Sequence, residues 1–302
     1  MKLTLKAAPP FDFDMSARIF SDGDGRIRRY EDGRFWQVIR TDGKLVLIVI
    51  NSLGSIWDPK LSVTLRSDKE VSGREKARVK EIVRWLFDLN YDLKPFYEHV
   101  INDKVMARLT RELRGLKSPA TVTVFEALFD SIVEQQISLH VAHGLERNVI
   151  QSFGDRLKLG SEVYYAYPTP QNLVSATVEE LRKCGLSQRK AEYLKNVSRL
   201  IVEGELDLEG FKDCTDIDVI INTLDRIRGV GVWTTELTMV RGMRKDALPA
   251  DDLGLRRVIS RYYCDDKRIT SREARVIAEK WGIWKGLAAF YLIMGEIVGI
   301  KP

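Results

Sequence analysis

Cysteine and histidine are scarce in this 302-residue chain, which contains three of each. Cys184, Cys214 and Cys264 lie far apart and form no Cys-x-x-Cys pair, so we expect neither a disulfide framework nor a four-cysteine iron–sulfur or zinc site. A reducing, intracellular setting fits this usage. His140 and His143 could meet on one helix face, but no third ligand accompanies them. We therefore expect two polar surface residues and no metal.

Long apolar runs are also missing. The longest aliphatic run, residues 45–50, is too short to cross a bilayer, and residues 1–14 lack the apolar core of a secretory signal. With 44% hydrophobic and 30% charged residues, the chain is not a disordered polyampholyte either. These absences predict a globular protein that is neither secreted nor membrane-bound, and its length suggests two domains or three small ones.

No charge sign dominates the composition. The 48 Lys and Arg residues exceed the 43 Asp and Glu residues by only five. This excess is a hint of a polyanionic partner and does not by itself define one.

The first ninety residues have the pattern of a β-sheet followed by a helix. Asp-Gly pairs occur within 22–25, 32–33 and 42–43, and β-rich runs such as 35–39 and 45–50 lie between and after them. Asp-Gly between such runs is a strong hairpin signal, so we expect an antiparallel meander.

A helix is predicted to cover that sheet. Ser72 and Glu75 have the spacing of a capping box, and an apolar stripe follows at Val79, Ile82, Val83 and Leu86. Lys94-Pro95 marks a boundary, after which the periodicity is helical almost throughout. The fold class is therefore α+β, with an N-terminal domain at 1–93 and a mostly helical part at 94–302.

Two segments of the helical part carry candidate chemistry. Residues 224–237 predict a helix, a tight turn containing Gly229 and Gly231, and a second helix from about Trp233. Glycines there would leave backbone amides open to a phosphate, although most such pairs simply turn the chain. Asp251 and Asp252 follow Pro249, and adjacent acids at such a place can equally be the cap and first-turn acid of the next helix.

Together these segments resemble the helix–hairpin–helix, Gly/Pro-rich loop and catalytic aspartate of the base-excision DNA glycosylase superfamily. Residues 125–154 and 185–191 resemble further segments of that catalytic core. The N-terminal meander and helix are similar to the extra domain of the 3-methyladenine DNA glycosylase II branch. Residues 281–288 resemble its W-x-P-W-R-x-x-A motif, except that Ile283 replaces the proline. The resemblance implies a two-lobed helical core, with lobe one at 118–250 and lobe two formed by 94–117 and 251–302.

The resemblance also assigns roles at the catalytic end. Asp252 matches the catalytic aspartate, because Leu255 and Arg257 follow it at the family's spacing. Asp251 is the second choice and is expected to be a helix-start acid. Trp233 and Trp284 are expected to line the base pocket, where an aromatic face attracts a positively charged alkylated purine.

The DNA-binding residues implied by the resemblance are Gly229, Gly231, Thr234 and Gln136. The first three belong to the hairpin and its amides. Gln136 matches the side chain that fills the gap left by a flipped nucleotide, and the open alternative is that Gln135 and Gln136 bond to nearby backbone.

The implied function is a monofunctional enzyme that flips and hydrolytically excises 3-methyladenine and 7-methylguanine, leaving an abasic site as the first step of base excision repair. Lyase members of the superfamily carry a lysine where this chain has Trp233. The alternatives are a preference for deaminated or oxidised purines, or a non-catalytic DNA-binding module. We expect a monomer that binds double-stranded DNA with a damaged base, needs no cofactor or metal, can take a monovalent cation at the hairpin, and is cytoplasmic (nucleoid-associated) or nuclear.

Overall fold

The computed structural model describes all 302 residues and begins with an antiparallel sheet. Its five strands are Lys2–Lys6 (β1), Arg28–Glu31 (β2), Arg34–Thr41 (β3), Lys44–Ser52 (β4) and Lys60–Arg66 (β5). The spatial order is β1-β5-β4-β3-β2, and a short helix, Phe13–Ala17 (α1), follows β1. The predicted sheet is confirmed, whereas β1 was not identified from the sequence.

Two of the three Asp-Gly segments form tight hairpins. Asp32-Gly33 joins β2 to β3 and Asp42-Gly43 joins β3 to β4, each as a two-residue loop. All four residues have positive φ, between 41° and 86°. Such turns match the right-handed twist of the flanking strands, and Asp and Gly tolerate the backbone conformation that they need. The third segment, 22–25, forms turns before β2 instead of a hairpin.

The predicted helix packs on the sheet as Gly73–Leu86 (α2). Its capping box is present: the Ser72 hydroxyl accepts from the Glu75 amide, and the Glu75 carboxylate accepts from the Ser72 amide. All four residues of the apolar stripe are buried in one core with the strands. The α+β class is therefore confirmed for this region.

Twelve further helices and one hairpin follow, and none of the helices is long and apolar enough to cross a membrane. The hairpin, Arg156–Leu159 (β6) and Glu162–Tyr165 (β7), was not predicted; it packs on β4 through Leu157, which lies with Leu47 in a small apolar cluster. The helices are Lys94–Val100 (α3), Lys104–Glu112 (α4), Val124–Glu134 (α5), Leu139–Phe153 (α6), Pro170–Ser175 (α7), Val178–Lys183 (α8), Gln188–Val202 (α9), Ile217–Leu224 (α10), Val232–Thr238 (α11), Leu253–Tyr263 (α12), Ser271–Ala278 (α13) and Lys285–Ile297 (α14).

Three large apolar cores hold the molecule together. One lies between α2 and the sheet. A second is built almost entirely from residues 124–247, and a third combines residues 93–116 with residues 248–294. The lobe and domain bounds given above stay a prediction.

Buried cations join these parts. Lys117 is 1% exposed, and its Nζ donates to the carbonyl oxygens of Ala8, Asp88, Leu89 and Tyr91 at 2.6–3.4 Å. Arg244, after α11, donates to the carbonyls of Trp85 and Ser118 and pairs with the Asp88 carboxylate at 3.1 Å. These contacts fix the N-terminal region against the helical part and so set the width of the space between them.

Candidate active site

A cleft of about 1690 Å³ lies where the N-terminal region and the two helical cores meet. The turn before β2, the ends of α5 and α11, the start of α12 and one face of α14 all line it. Its volume exceeds the roughly 300–1,000 Å³ of an ordinary small-molecule site. The cleft therefore has room for more than a compact metabolite.

The two glycines of the hairpin 225–231 have different structural roles. Gly229 has φ of 90°, and a Cβ there would lie 2.2 Å from ring carbons of Tyr193 on α9. Gly231 has φ of −94° and is the N-cap of α11, where a Cβ would meet nothing within 4 Å. The fold thus requires Gly229, whereas Gly231 keeps the helix start uncovered.

The N-terminus of α11 is open to solvent. Gly231 and Val232 are exposed, and no side chain caps the helix. Thr234 is 2% exposed and its hydroxyl accepts from Gln135, so its side chain is not available to an external ligand. Free amides at the positive end of a helix dipole attract anions, phosphate above all.

Asp252 lies in the wall of the cleft with both carboxylate oxygens engaged. It is the N-cap of α12: its Oδ1 accepts from the Leu255 amide at 2.7 Å. Its Oδ2 accepts from Nε1 of Trp233 at 3.2 Å. The carboxylate is partly exposed and held in one orientation. A fixed anion of this kind can stabilise positive charge that develops on a bound ligand.

Asp251 has a different environment. It is exposed and lies 3.6 Å from Nη2 of Arg275, which also binds both carboxylate oxygens of Glu236. The expectation that Asp251 is the helix-start acid is therefore wrong, because Asp252 itself caps α12. The two interpretations of Asp252, cap and functional acid, describe the same side chain.

Trp233 lines the cleft beside Asp252. Its ring edge points at the carboxylate through the Nε1–H donor. A planar group stacked on the face of this ring would lie next to the Asp252 carboxylate. The structure thus brings the predicted aromatic and the predicted acid together.

Trp284 does not reach the cleft, contrary to its predicted place in a base pocket. Its Nε1 donates to the Tyr91 hydroxyl at 2.8 Å, and its ring lies 4.7 Å from that of His99. The chain kinks at Gly282, with φ of 55° and ψ of −129°, before α14 begins. This kink accounts for the different direction of the Trp284 side chain.

The face of α14 supplies cleft residues that sequence reasoning missed. Phe290 and Ile293 line the cleft, whereas Tyr291 is buried and bonds to the Tyr97 hydroxyl. The signal was present, since residues 286, 289, 290, 293 and 297 have the spacing of one helix face.

Of the two glutamines at the end of α5, one bonds to nearby backbone and the other is exposed at the cleft. Gln135 bonds to the hairpin: its Nε2 donates to the Gly229 carbonyl at 2.8 Å and to the Thr234 hydroxyl at 2.9 Å. Gln136 is exposed at the cleft with φ of 56°. Both residues line the cleft, and Gln136, whose side chain is the more exposed, is the better placed to contact a ligand.

The other end of the cleft contains a cluster of buried ionisable groups. Arg28 of β2 donates to the Tyr167 hydroxyl at 3.1 Å and lies 3.6 Å from Oδ2 of Asp130. Glu134 pairs with Arg241 at 2.7 Å, and Glu146 of α6 lies nearby in the cleft wall. Nothing in the local sequence identifies this cluster, because its members come together only in the folded chain.

Burial shifts the titration of these acids. Desolvation raises the pKa of Glu126 to about 7 against the attraction of Arg28, and it also raises the pKa of Asp130. Desolvation raises the pKa of Glu146 to about 9, helped by the charges of Asp130 and Glu134. The Glu146 carboxyl in the cleft wall is therefore protonated at neutral pH.

No three His, Cys, Asp or Glu side chains are grouped so that they could hold a metal ion. His140 and His143 are both exposed on α6.

Comparison with known proteins gives a consistent result. The family model described as "HhH-GPD superfamily base excision DNA repair protein" matches residues 129–282. A Bacillus subtilis DNA-3-methyladenine glycosylase is 31% identical over 222 residues, which cover 72% of this chain and 73% of that protein. DNA-3-methyladenine glycosylase 2 of Escherichia coli is 28% identical over 208 residues, covering 68% of each.

Solved structures extend the likeness to the N-terminal region. The 3-methyladenine DNA-glycosylase from Archaeoglobus fulgidus superposes with a TM-score of 0.86 over 98% of both chains, at 26% identity. A Clostridium acetobutylicum 8-oxoguanine glycosylase/lyase superposes with a TM-score of 0.77 over 99% of both chains, but its 20% identity speaks to the fold alone. The chain belongs to the HhH-GPD superfamily of base excision DNA repair proteins. The resemblance stated from its motifs is confirmed.

Proposed function

We propose that this chain is a monofunctional DNA glycosylase that flips alkylated purines out of double-stranded DNA and removes them by hydrolysis. The observation that carries the proposal is the position of Asp252 in the cleft wall, oriented by a helix start and by the edge of Trp233. The names of the relatives from B. subtilis, E. coli and A. fulgidus support 3-methyladenine as a substrate.

The hairpin is the proposed grip on the DNA backbone. Gly231 leaves the start of α11 exposed, and Gly229 allows the tight turn that presents it. Together with the Thr234 amide, these positions would bind phosphates beside the lesion. A small net charge suffices for a contact made by a few backbone amides. Gln136, exposed at positive φ, is the proposed wedge that fills the gap left by the flipped nucleotide.

The face of Trp233 is the proposed recognition surface for the base. Alkylation at N3 or N7 gives a purine a positive charge, and stacking on an indole face then contributes about 0.5–2 kcal/mol. Leu237, Val240 and Phe290 extend an apolar wall along the cleft. Such a wall offers little hydrogen-bond readout, so it can accept several alkylated bases.

Asp252 is the proposed catalytic residue. Breaking the N-glycosidic bond leaves the electron pair with the base and builds oxocarbenium-like charge on the sugar, which the fixed carboxylate stabilises. Water then adds to the anomeric carbon and gives up a proton, leaving an abasic site. Trp233 stands where lyase members of the superfamily have lysine, so no Schiff base forms and the strand stays intact.

The partners and setting belong to the same proposal. The enzyme acts as a monomer on damaged duplex DNA, in a bacterial nucleoid or a nucleus. A monovalent cation can bind the hairpin carbonyls without taking part in the chemistry.

The test is release of free bases from methylated duplex DNA, identified by chromatography. We expect 3-methyladenine and 7-methylguanine to be released and the strand to remain uncut without alkali. Asp252→Asn should lower the release rate by about 10²–10³-fold while DNA binding persists, since a preorganised charge is lost. Asp251→Asn is the matched control and should retain nearly full activity.

Three results would contradict the proposal. No release of either base by the wild-type protein would remove alkylated purines as substrates, and a parallel panel with hypoxanthine and 8-oxoguanine would reveal the alternative preference. Spontaneous strand cleavage would exclude a monofunctional enzyme. Full activity of Asp252→Asn would remove that residue from catalysis. If the wild-type protein released no base of the panel at all, a DNA-binding module would remain.

A further inference from the structure

The last turn of α5 is anchored by side chains from two other elements. Lys190 of α9 is 9% exposed, and its Nζ donates to the Val133 carbonyl at 2.8 Å. Arg241, in the π-helical continuation of α11, binds the buried Glu134 carboxylate at 2.7 Å. A carbonyl at a helix C-terminus has no intrahelical donor, so the Lys190 contact satisfies a group that would otherwise be unpaired. The chain therefore leaves α5 in a defined direction.

Gln135 links the end of α5 to the hairpin through two hydrogen bonds. Both hydrogens of its Nε2 group are used, one by the Gly229 carbonyl at 2.8 Å and one by the Thr234 hydroxyl at 2.9 Å. The two acceptors lie on either side of Gly231, in the turn and in the first turn of α11. One side chain thus fixes the end of α5 to both arms of the proposed phosphate grip.

The next residue, Gln136, has an unusual backbone for its type. Its φ of 56° lies in the left-handed region, which is unfavourable for a residue with a side chain, and its side chain is exposed. Such a conformation persists only when the surrounding structure imposes it. A turn closed by the Ile137 amide, which donates to the Glu134 carbonyl at 3.4 Å, surrounds Gln136, and the side-chain bonds of Gln135 hold the same turn against the hairpin.

We propose that Gln135 is a positioning residue that holds the wedge, Gln136, at a fixed distance from the hairpin. This inference rests on the proposed function. Filling the gap in a base stack requires the wedge and the phosphate grip to act together on adjacent nucleotides. A rigid link between them lowers the cost of nucleotide flipping, and it contributes nothing to breaking the glycosidic bond once the base is in the pocket.

The test compares two duplexes that each carry one 7-methylguanine, paired with cytosine in the first and placed opposite an abasic site in the second. Gln135→Met keeps the length of the side chain and removes both donors. We expect its single-turnover excision rate to fall about 10-fold on the paired base, as for the loss of two ordinary hydrogen bonds. On the unpaired base, which needs little help to flip, we expect less than a twofold change. A merely structural defect would lower both rates alike.

A double-mutant cycle tests whether Gln135 affects the excision rate through Gln136. If Gln135 acts through the wedge, Gln135→Met combined with Gln136→Ala should be no slower on the paired base than Gln136→Ala alone. Thr234→Val keeps the backbone amide and removes one acceptor, so it should reproduce part of the effect without altering the size of the site. This variant also serves if Gln135→Met is poorly folded.

Flipping can be measured without excision. The fluorescence of 2-aminopurine placed beside the lesion should rise when the Asp252→Asn protein binds the duplex. It should stay low when the bound protein carries both Asp252→Asn and Gln135→Met. Equal excision rates of wild type and Gln135→Met on the paired base, equal losses on both duplexes, additive effects with Gln136→Ala, or unchanged 2-aminopurine fluorescence would each overturn the inference. Wild-type protein that brightens 2-aminopurine but releases no alkylated base would refute the proposed function and leave the positioning role standing.

Discussion

Substitution by alanine should mainly lower stability at one hairpin glycine and mainly weaken DNA binding at the other. Gly229→Ala places a methyl group 2.2–2.5 Å from three ring carbons of Tyr193, at a residue with φ of 90°. The left-handed backbone costs about 1–2 kcal/mol for a residue with a Cβ, and displacing the ring costs about 1–3 kcal/mol more. We therefore expect Gly229→Ala to lower the free energy of unfolding by about 2–5 kcal/mol.

Gly231→Ala is the matched control, because its φ of −94° suits alanine and no atom lies within 4 Å of the added Cβ. Alanine is a poorer N-cap than glycine, so a loss of up to about 1 kcal/mol is expected. Its main effect should be weaker binding to duplex DNA containing an abasic site, since the methyl group covers the exposed helix start.

Urea denaturation and fluorescence anisotropy with labelled DNA measure the two effects separately. Combining Gly229→Ala with Tyr193→Ala should recover the part of the loss that comes from the overlap, as a coupling energy in a double-mutant cycle. A Gly229→Ala protein within about 0.5 kcal/mol of wild type, or equal losses of stability at both glycines, would refute the assignment of separate roles.

Three further predictions concern the cleft and its supports. Trp233→Phe keeps an aromatic face and removes the Nε1–H donor to Asp252, so excision should slow about 10-fold while affinity for abasic-site DNA is retained, measured by single-turnover kinetics and anisotropy. Burial raises the pKa of Glu146 to about 9 from an ordinary value of 4.5. The folded state therefore keeps a proton that the unfolded chain loses, so the free energy of unfolding of wild type should fall as the pH rises from about 4.5 to about 9. In urea titrations, the free energy of unfolding of Glu146→Gln should match that of wild type near pH 5 and exceed it by about 1–3 kcal/mol near pH 9. Lys117→Met leaves four carbonyls without their shared donor and should lower the free energy of unfolding by about 3–5 kcal/mol, with unchanged melting as the contrary result.

The elements that the sequence predicted well are those stabilised by neighbouring residues. The turn at Asp42-Gly43 and the capping box of Ser72 and Glu75 need contacts only two or three residues apart. Local chemistry is complete at such sites, so a short stretch of sequence specifies them.

The features that sequence reasoning missed depend on contacts between distant residues. The β6–β7 hairpin is short, and its place on β4 follows from packing of Leu157 against Leu47, more than a hundred residues earlier. The buried acids around Asp130 acquire their counter-ion from Arg28 in another part of the fold. No window of the sequence contains both members of these pairs.

Trp284 and Phe290 show how a backbone detail redirects a motif. The Trp pair at 281–284 matches the family pattern, but Gly282 takes a non-helical φ and ψ that turns Trp284 toward Tyr91. The aromatic that reaches the cleft is Phe290, one helix turn into α14. The motif match at 281–288 therefore ends just before Phe290, the aromatic side chain that enters the cleft from this part of the chain.

Asp252 shows that a structural and a functional interpretation of one residue can both hold. Its Oδ1 caps α12 and its Oδ2 meets the Trp233 indole, so helix capping itself sets the orientation of the carboxylate toward the cleft. A free aspartate on a loop would have to be ordered each time a substrate bound, whereas this one is ordered by the fold. Asparagine caps a helix about as well as aspartate. Asp252→Asn therefore removes the charge while keeping the cap, but its amide nitrogen cannot accept from Trp233 Nε1. Trp233→Phe removes the same bond and keeps the charge, so the difference between the two variants gives the contribution of the charge.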